Sequence, residues 1–127
     1  VAEACAGDSQ VLGLDSDLTA GELRHLVALG SVLVTSRFHA MISGLATSTP
    51  TVVVGWSHKY REVLDDFGLA SLGLDSSALN NPSEIADVVA RVLSTRNELS
   101  QQITAALPAV KVRSLRNFSA IAEAARR

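Results

Sequence analysis

The sequence predicts an α/β domain built on a parallel sheet, and three observations carry that prediction. Short apolar runs alternate with segments of helical spacing, as strand-helix-strand units do. Thr51-Val52-Val53-Val54 is almost continuously apolar and β-branched, the pattern of a strand buried on both faces. Beyond Asn80 the alternation stops, and the remaining chain carries apolar stripes at helical spacing.

The elements follow in order. Val11-Leu12-Gly13-Leu14, ending at Asp15, reads as a first short strand. Thr19 offers a helix N-cap, and Glu22 three residues later completes a capping box. Leu23, Leu26, Val27 and Leu29 give that helix an apolar side, and Gly30 stops it. Ser31-Val32-Leu33-Val34 is a second strand. Ser36 then stands as the cap of a helix reaching about Thr47, and Ser48-Thr49-Pro50 breaks it. Residues 51–54 are the third strand. Lys59 to Phe67 is a short helix closed by Gly68, and Leu69 to Leu72 is a possible edge strand. Pro82 fits a first helical position after Asn81 or Asn80, and Ile85, Val88, Val89, Val92 and Leu93 form that helix's stripe. Leu99, Ile103, Leu107 and Val110 continue the pattern, with Pro108 bending or breaking the helix, and Leu115, Phe118 and Ile121 close the chain.

With 127 residues and 47% hydrophobic content, one ordinary domain with a real core is expected. Aromatics are only 4%, so aliphatic side chains must fill it. A net charge of -2 argues against a nucleic-acid partner, which a basic patch would announce. Lys111, Arg113 and Arg116 form a mild cluster, read as the solvated face of a helix. The single cysteine, Cys5, allows no intrachain disulfide and fits a reducing, cytoplasmic setting. No apolar run approaches the length of a transmembrane segment, and no His/Cys group has metal spacing, so neither a membrane span nor a metal cofactor is expected. The chain opens Val1-Ala2-Glu3-Ala4-Cys5 without Met, as a helix entered partway would, so a piece of a longer protein is expected.

In open parallel sheets, ligands bind beyond the carboxyl ends of the strands. The second strand ends in Thr35-Ser36-Arg37-Phe38-His39 and the third in Gly55-Trp56-Ser57-His58-Lys59, so both polar runs should reach one rim. A helix capped at Ser36 presents unpaired amides and a partial positive charge there. Arg37 adds a planar fork suited to carboxylate or phosphate. His39, in the same turn, is placed to move a proton. Lys59 adds a cation at the start of another helix. Together these groups describe a pocket for a small, multiply charged anion, set against the plainer reading of each as an ordinary surface residue.

The same residues bear a family resemblance. Val32-Leu33-Val34-Thr35-Ser36-Arg37-Phe38-His39-Ala40 resembles the strand and R-x-H-A signature of polysaccharide pyruvyl transferases. Thr49-Pro50-Thr51-Val52-Val53-Val54 is similar to that family's proline-led strand, and Trp56-Ser57-His58-Lys59-Tyr60 to its lysine-bearing continuation. The likeness covers roughly residues 10 to 70, with Phe38 where a smaller aliphatic residue is expected. It implies a parallel-sheet, Rossmann-like half of a two-domain GT-B-type fold, ending in C-terminal helices. Residues 1–80 would be a partial Rossmann-like unit with the donor site, and 81–127 helices packing on the same domain. It implies transfer of the enolpyruvyl unit of phosphoenolpyruvate to two hydroxyls of a saccharide acceptor, forming a pyruvate ketal. Arg37 would bind the donor's anionic groups and act with His39, the general acid, in catalysis; Lys59 would hold phosphate, and Ser36 would help to bind the donor. An N-terminal half of the same protein would bind the acceptor, and without it part of the stripe from Ile103 to Ile121 would be exposed for self-association.

Two other readings compete. A retaining GT-B glycosyltransferase with a nucleotide-sugar donor often carries two glutamates eight residues apart, but neither Glu62 nor Glu84 has that partner. A non-catalytic anion-binding module would be expected to lose Arg37, His39 or Lys59, and all three are present.

Overall fold

The computed structural model describes residues 10–126, apart from 15 and 56 and the side chains of 117 and 120. Cys5 and Trp56, singled out in the sequence, lie outside the described residues. Among the described residues the first element is helix α1 (Ala20–Leu29), and it starts as its capping box dictates. The Thr19 hydroxyl accepts from the Glu22 amide at 3.3 Å, while the Glu22 carboxylate accepts from the Thr19 amide at 2.8 Å. The Thr19 hydroxyl, which also donates to the Glu22 carboxylate at 2.7 Å, and then the Thr19 amide hold the Glu22 carboxyl below its ordinary range. Strand β1 (Leu33–Thr35), helix α2 (Phe38–Ala46), strand β2 (Thr51–Val54) and helix α3 (His58–Asp66) follow. Strand β3 (Gly73–Leu74), helix α4 (Pro82–Ser94) and helix α5 (Arg96–Ala124) complete the chain.

The three strands form one parallel sheet in the order β1-β2-β3. Leu33 pairs with Thr51 and Thr35 with Val53, while Val53 and Val54 pair with Gly73 and Leu74. All four β2 residues are buried, as a central strand covered on both faces requires. The core gathers Met41 and Leu45 of α2, Val52 and Val53 of β2 and Leu64 of α3. It is closed by Val88 and Val92 of α4 and by Ile103 of α5, which is fully buried. The fold is therefore a mixed α/β arrangement on a small parallel sheet. No helix among the described residues is long and apolar enough to cross a membrane.

Two glycines fix the packing. Gly44 lets α2 lie directly on the sheet, because a Cβ there would collide with the Thr51 hydroxyl and stand 3.0 Å from Leu33 Cδ2. Gly68 turns the chain at the end of α3 with φ 69°, a conformation that favours glycine. Gln102 of α5 secures that turn by donating from Nε2 to the Phe67 carbonyl at 2.8 Å and the Gly68 carbonyl at 3.1 Å.

Four expectations need correction. Residues 11–14 form no strand, and Val11, Leu12 and Leu14 are exposed. A four-residue run containing Gly13 offers few ladder bonds and little side-chain packing. Ser36 does not cap α2; the cap residue is Arg37, with no side-chain capping bond. The Thr35 hydroxyl accepts from the Arg37 amide at 3.0 Å, a local turn that delays the helix to Phe38. Residues 70–72 are a 3-10 turn that buries Leu72, and the edge strand comes only after it, at Gly73. Pro108 does not break its helix: α5 runs through it from Arg96 to Ala124, with Leu107 and Val110 packed on the core either side.

Candidate functional site at the carboxyl rim

Since β1 and β2 are parallel neighbours, the segments after Thr35 and after Val54 leave the sheet at the same rim, and so does the segment after Leu74. Each of the first two opens a helix almost at once. The N-cap residues, Arg37 for α2 and Ser57 for α3, have extended backbone and no side-chain capping bond. Amides in the first turn of such helices have no acceptor within the helix, and the dipoles add positive potential. His39 and Lys59 occupy equivalent places, each the second residue of its helix.

Tyr60 joins the two segments. Its hydroxyl donates to the Ser36 carbonyl at 3.1 Å, across 24 positions of sequence. Its ring lies against Phe38 with centroids 5.7 Å apart, and Phe38 in turn meets the His39 ring edge-on at 5.9 Å. Ser36, Phe38, His39 and Tyr60 thus form one connected patch. Phe38, unexpected in the motif, is a structural part of it.

Ser36, Arg37, His39 and Lys59 are all exposed. Neither Arg37 nor Lys59 has an acidic partner among the described residues, whereas His58 lies 3.4 Å from Glu62. Their charges are available to an incoming anion.

Beside this patch a small cleft of about 110 Å³ opens between the ends of β2 and β3. Gly55, Ser57, Tyr60 and Arg61 line one side, and Gly73, Leu74 and Asp75 the other. Gly55 has φ 123°, and its amide still donates to the Leu74 carbonyl at 3.1 Å. The Asp75 carboxylate accepts from the Ser77 amide at 2.9 Å, which keeps its carboxyl below the ordinary range and ionised at neutral pH. Arg37, His39 and Lys59 do not line this cleft. Sequence reasoning missed Tyr60, Arg61 and Asp75. The rim rule that found Arg37 would also have reached Asp75 had the strand been placed at Gly73–Leu74.

No group of three or more His, Cys, Asp or Glu able to hold a metal occurs among the described residues. No family model, curated protein or solved structure matches the chain.

Proposed function

We propose that this chain is the phosphoenolpyruvate-binding half of a polysaccharide pyruvyl transferase, with the Rossmann-like GT-B architecture and the cytoplasmic setting that such an enzyme implies. The observation that carries the proposal is the bond from Tyr60 to the Ser36 carbonyl. It ties the segment bearing Arg37 and His39 to the one bearing Lys59, at the rim where parallel sheets bind ligands. Two helix N-termini without side-chain caps and two cations without acid partners suit a donor carrying a phosphate and a carboxylate.

In the proposed reaction His39, protonated, gives its proton to the methylene carbon of phosphoenolpyruvate, which becomes a methyl group. The cationic centre left at the neighbouring carbon takes a sugar hydroxyl oxygen, and that hydroxyl loses its proton. The carbon–oxygen bond to phosphate then breaks, phosphate leaves with the electron pair, and a second hydroxyl closes the ketal with loss of its proton. Arg37 holds the donor's carboxylate or phosphate, and Lys59 and the Ser36 segment complete the anion site. Stabilising charge on the donor while delivering a proton is electrostatic and acid catalysis together.

Calorimetric titration tests the proposal. Phosphoenolpyruvate should bind the wild-type chain, Arg37→Ala and Lys59→Ala should each weaken it by about tenfold or more, and a nucleoside diphosphate should not bind. Preference for the nucleotide, or phosphoenolpyruvate binding indifferent to both substitutions, would refute it.

A further inference from the structure

An apolar concavity larger than the rim cleft lies away from the rim. It is a groove of about 680 Å³ whose walls are Ile42 and Leu45 of α2, Val63 and Phe67 of α3, and Leu107 and Val110 of α5. Lys111, Arg113 and Arg116 stand along it, the three cations that read in sequence as a merely solvated face. Arg113 is neutralised by Asp66, with Nη1 2.6 Å from Oδ1. Lys111 and Arg116 have no acidic partner among the described residues.

The apolar track does not end with the groove. Leu107, Val110, Ser114, Phe118 and Ile121 recur at spacings of three and four, so they share one face of α5. The first two are packed on the core, while Phe118 is 67% and Ile121 65% exposed. From Leu107 to Ile121 this face is about 21 Å long at the helical rise. That length exceeds a compact ligand and matches roughly fourteen residues of a second helix.

We infer that the groove and the exposed end of α5 receive an amphipathic helix with acidic flanks from a partner protein. Its apolar ridge would seat between α2 and α5 and run on over Phe118 and Ile121, with its carboxylates meeting Lys111 and Arg116. Grooves of this kind take helices through anchors at i, i+3, i+4 and i+7. A parallel pairing with the α5 of a second copy would set Lys111 beside Lys111 and Arg116 beside Arg116, so like charge disfavours that arrangement. A recessed groove fits a convex helix better than the plane of a lipid surface.

The test is fluorescence anisotropy with the whole chain and a labelled peptide of about 16 residues, leucines on one face and glutamates on both flanks. A second peptide carries lysines in place of the glutamates. The acidic peptide should bind saturably, and about tenfold or more tighter than the basic one. The double variant Lys111→Glu/Arg116→Glu should reverse that preference, and Phe118→Asp should weaken binding of both peptides. All three positions are exposed, so circular dichroism should show an unchanged fold. Equal affinity for the two peptides, or no saturation, would overturn the inference. So would sedimentation showing a dimer that Phe118→Asp dissolves, or phosphatidylglycerol vesicles binding the groove in a way that the acidic peptide does not compete with.

Discussion

Gly44→Ala isolates the contact on which the position of α2 depends. In an exposed helix the change would stabilise by about 1 kcal/mol, because alanine is the better helix former. Here the added methyl collides with the Thr51 hydroxyl and comes 3.4 Å from Thr51 Cβ. Thr51 cannot easily yield. It is fully buried, it is β-branched and so stiff at χ1, and its hydroxyl donates to the Thr49 carbonyl at 2.9 Å. Leu33 Cδ2, at 3.0 Å, can rotate away only at the cost of its own packing. Overpacking of this kind costs about 1–3 kcal/mol, and a methyl this deep in a collision belongs at or above the top of that range. Subtracting the helix gain leaves a net loss of about 2 kcal/mol, or about 8 °C in Tm for a domain of this size. The assay is thermal unfolding followed by circular dichroism, with and without Thr51→Ala. In the Thr51→Ala background the penalty for Gly44→Ala should shrink, since the colliding oxygen is gone. An unchanged or raised Tm for Gly44→Ala alone, or the same penalty in both backgrounds, would show that Thr51 does not limit the side chain at position 44.

Three further outcomes are expected. Ile103→Ala should destabilise by about 2–5 kcal/mol in urea unfolding, because it opens a cavity at a fully buried side chain that joins α5 to the core. Gly68→Ala should cost about 1–2 kcal/mol in the same assay, since φ is 69° and the new Cβ would lie 2.9 Å from Gln102 Nε2. Glu22 and Asp75 both have carboxyls below their ordinary range, so each contributes stability that is fully present above its unfolded-state range and is lost as pH falls through the lowered folded one. Acid titration followed by NMR should therefore show the 19–22 box and the 75–77 turn loosening only below the ordinary carboxylate range. Loosening above it would contradict the sign.

Much of the local structure was legible because its causes are local. The Thr19–Glu22 box and Pro82 at the first position of α4 are read from neighbours in sequence. The central strand at 51–54 was legible because burial on both faces leaves no polar alternation. The failures share a different cause. Whether Val11–Leu14 pairs with anything depends on a partner strand, which no local pattern supplies. The start of α2 turned on the Thr35 hydroxyl capturing the Arg37 amide, a local competition that the placing of the cap at Ser36 left out. The helix through Pro108 survives because Leu107 and Val110 anchor it to the core on both sides. At the rim, parallel strand order brought Ser36–His39 and Ser57–Lys59 to one edge, as the sequence predicts. The bond from Tyr60 to Ser36 was not legible, since it joins residues 24 apart and exists only once β1 and β2 are neighbours.

In the proposed function two segments separate in sequence form one anion site for phosphoenolpyruvate. The most direct measurement is amide chemical-shift mapping of the whole chain during titration with phosphoenolpyruvate. Amides of 36–39 and 57–60 should shift together along one saturation curve, and Lys59→Ala should move that curve, in both segments alike, to about tenfold or more higher concentration. Shifts confined to one segment, two different saturation curves, or shifts clustered away from the rim would contradict it.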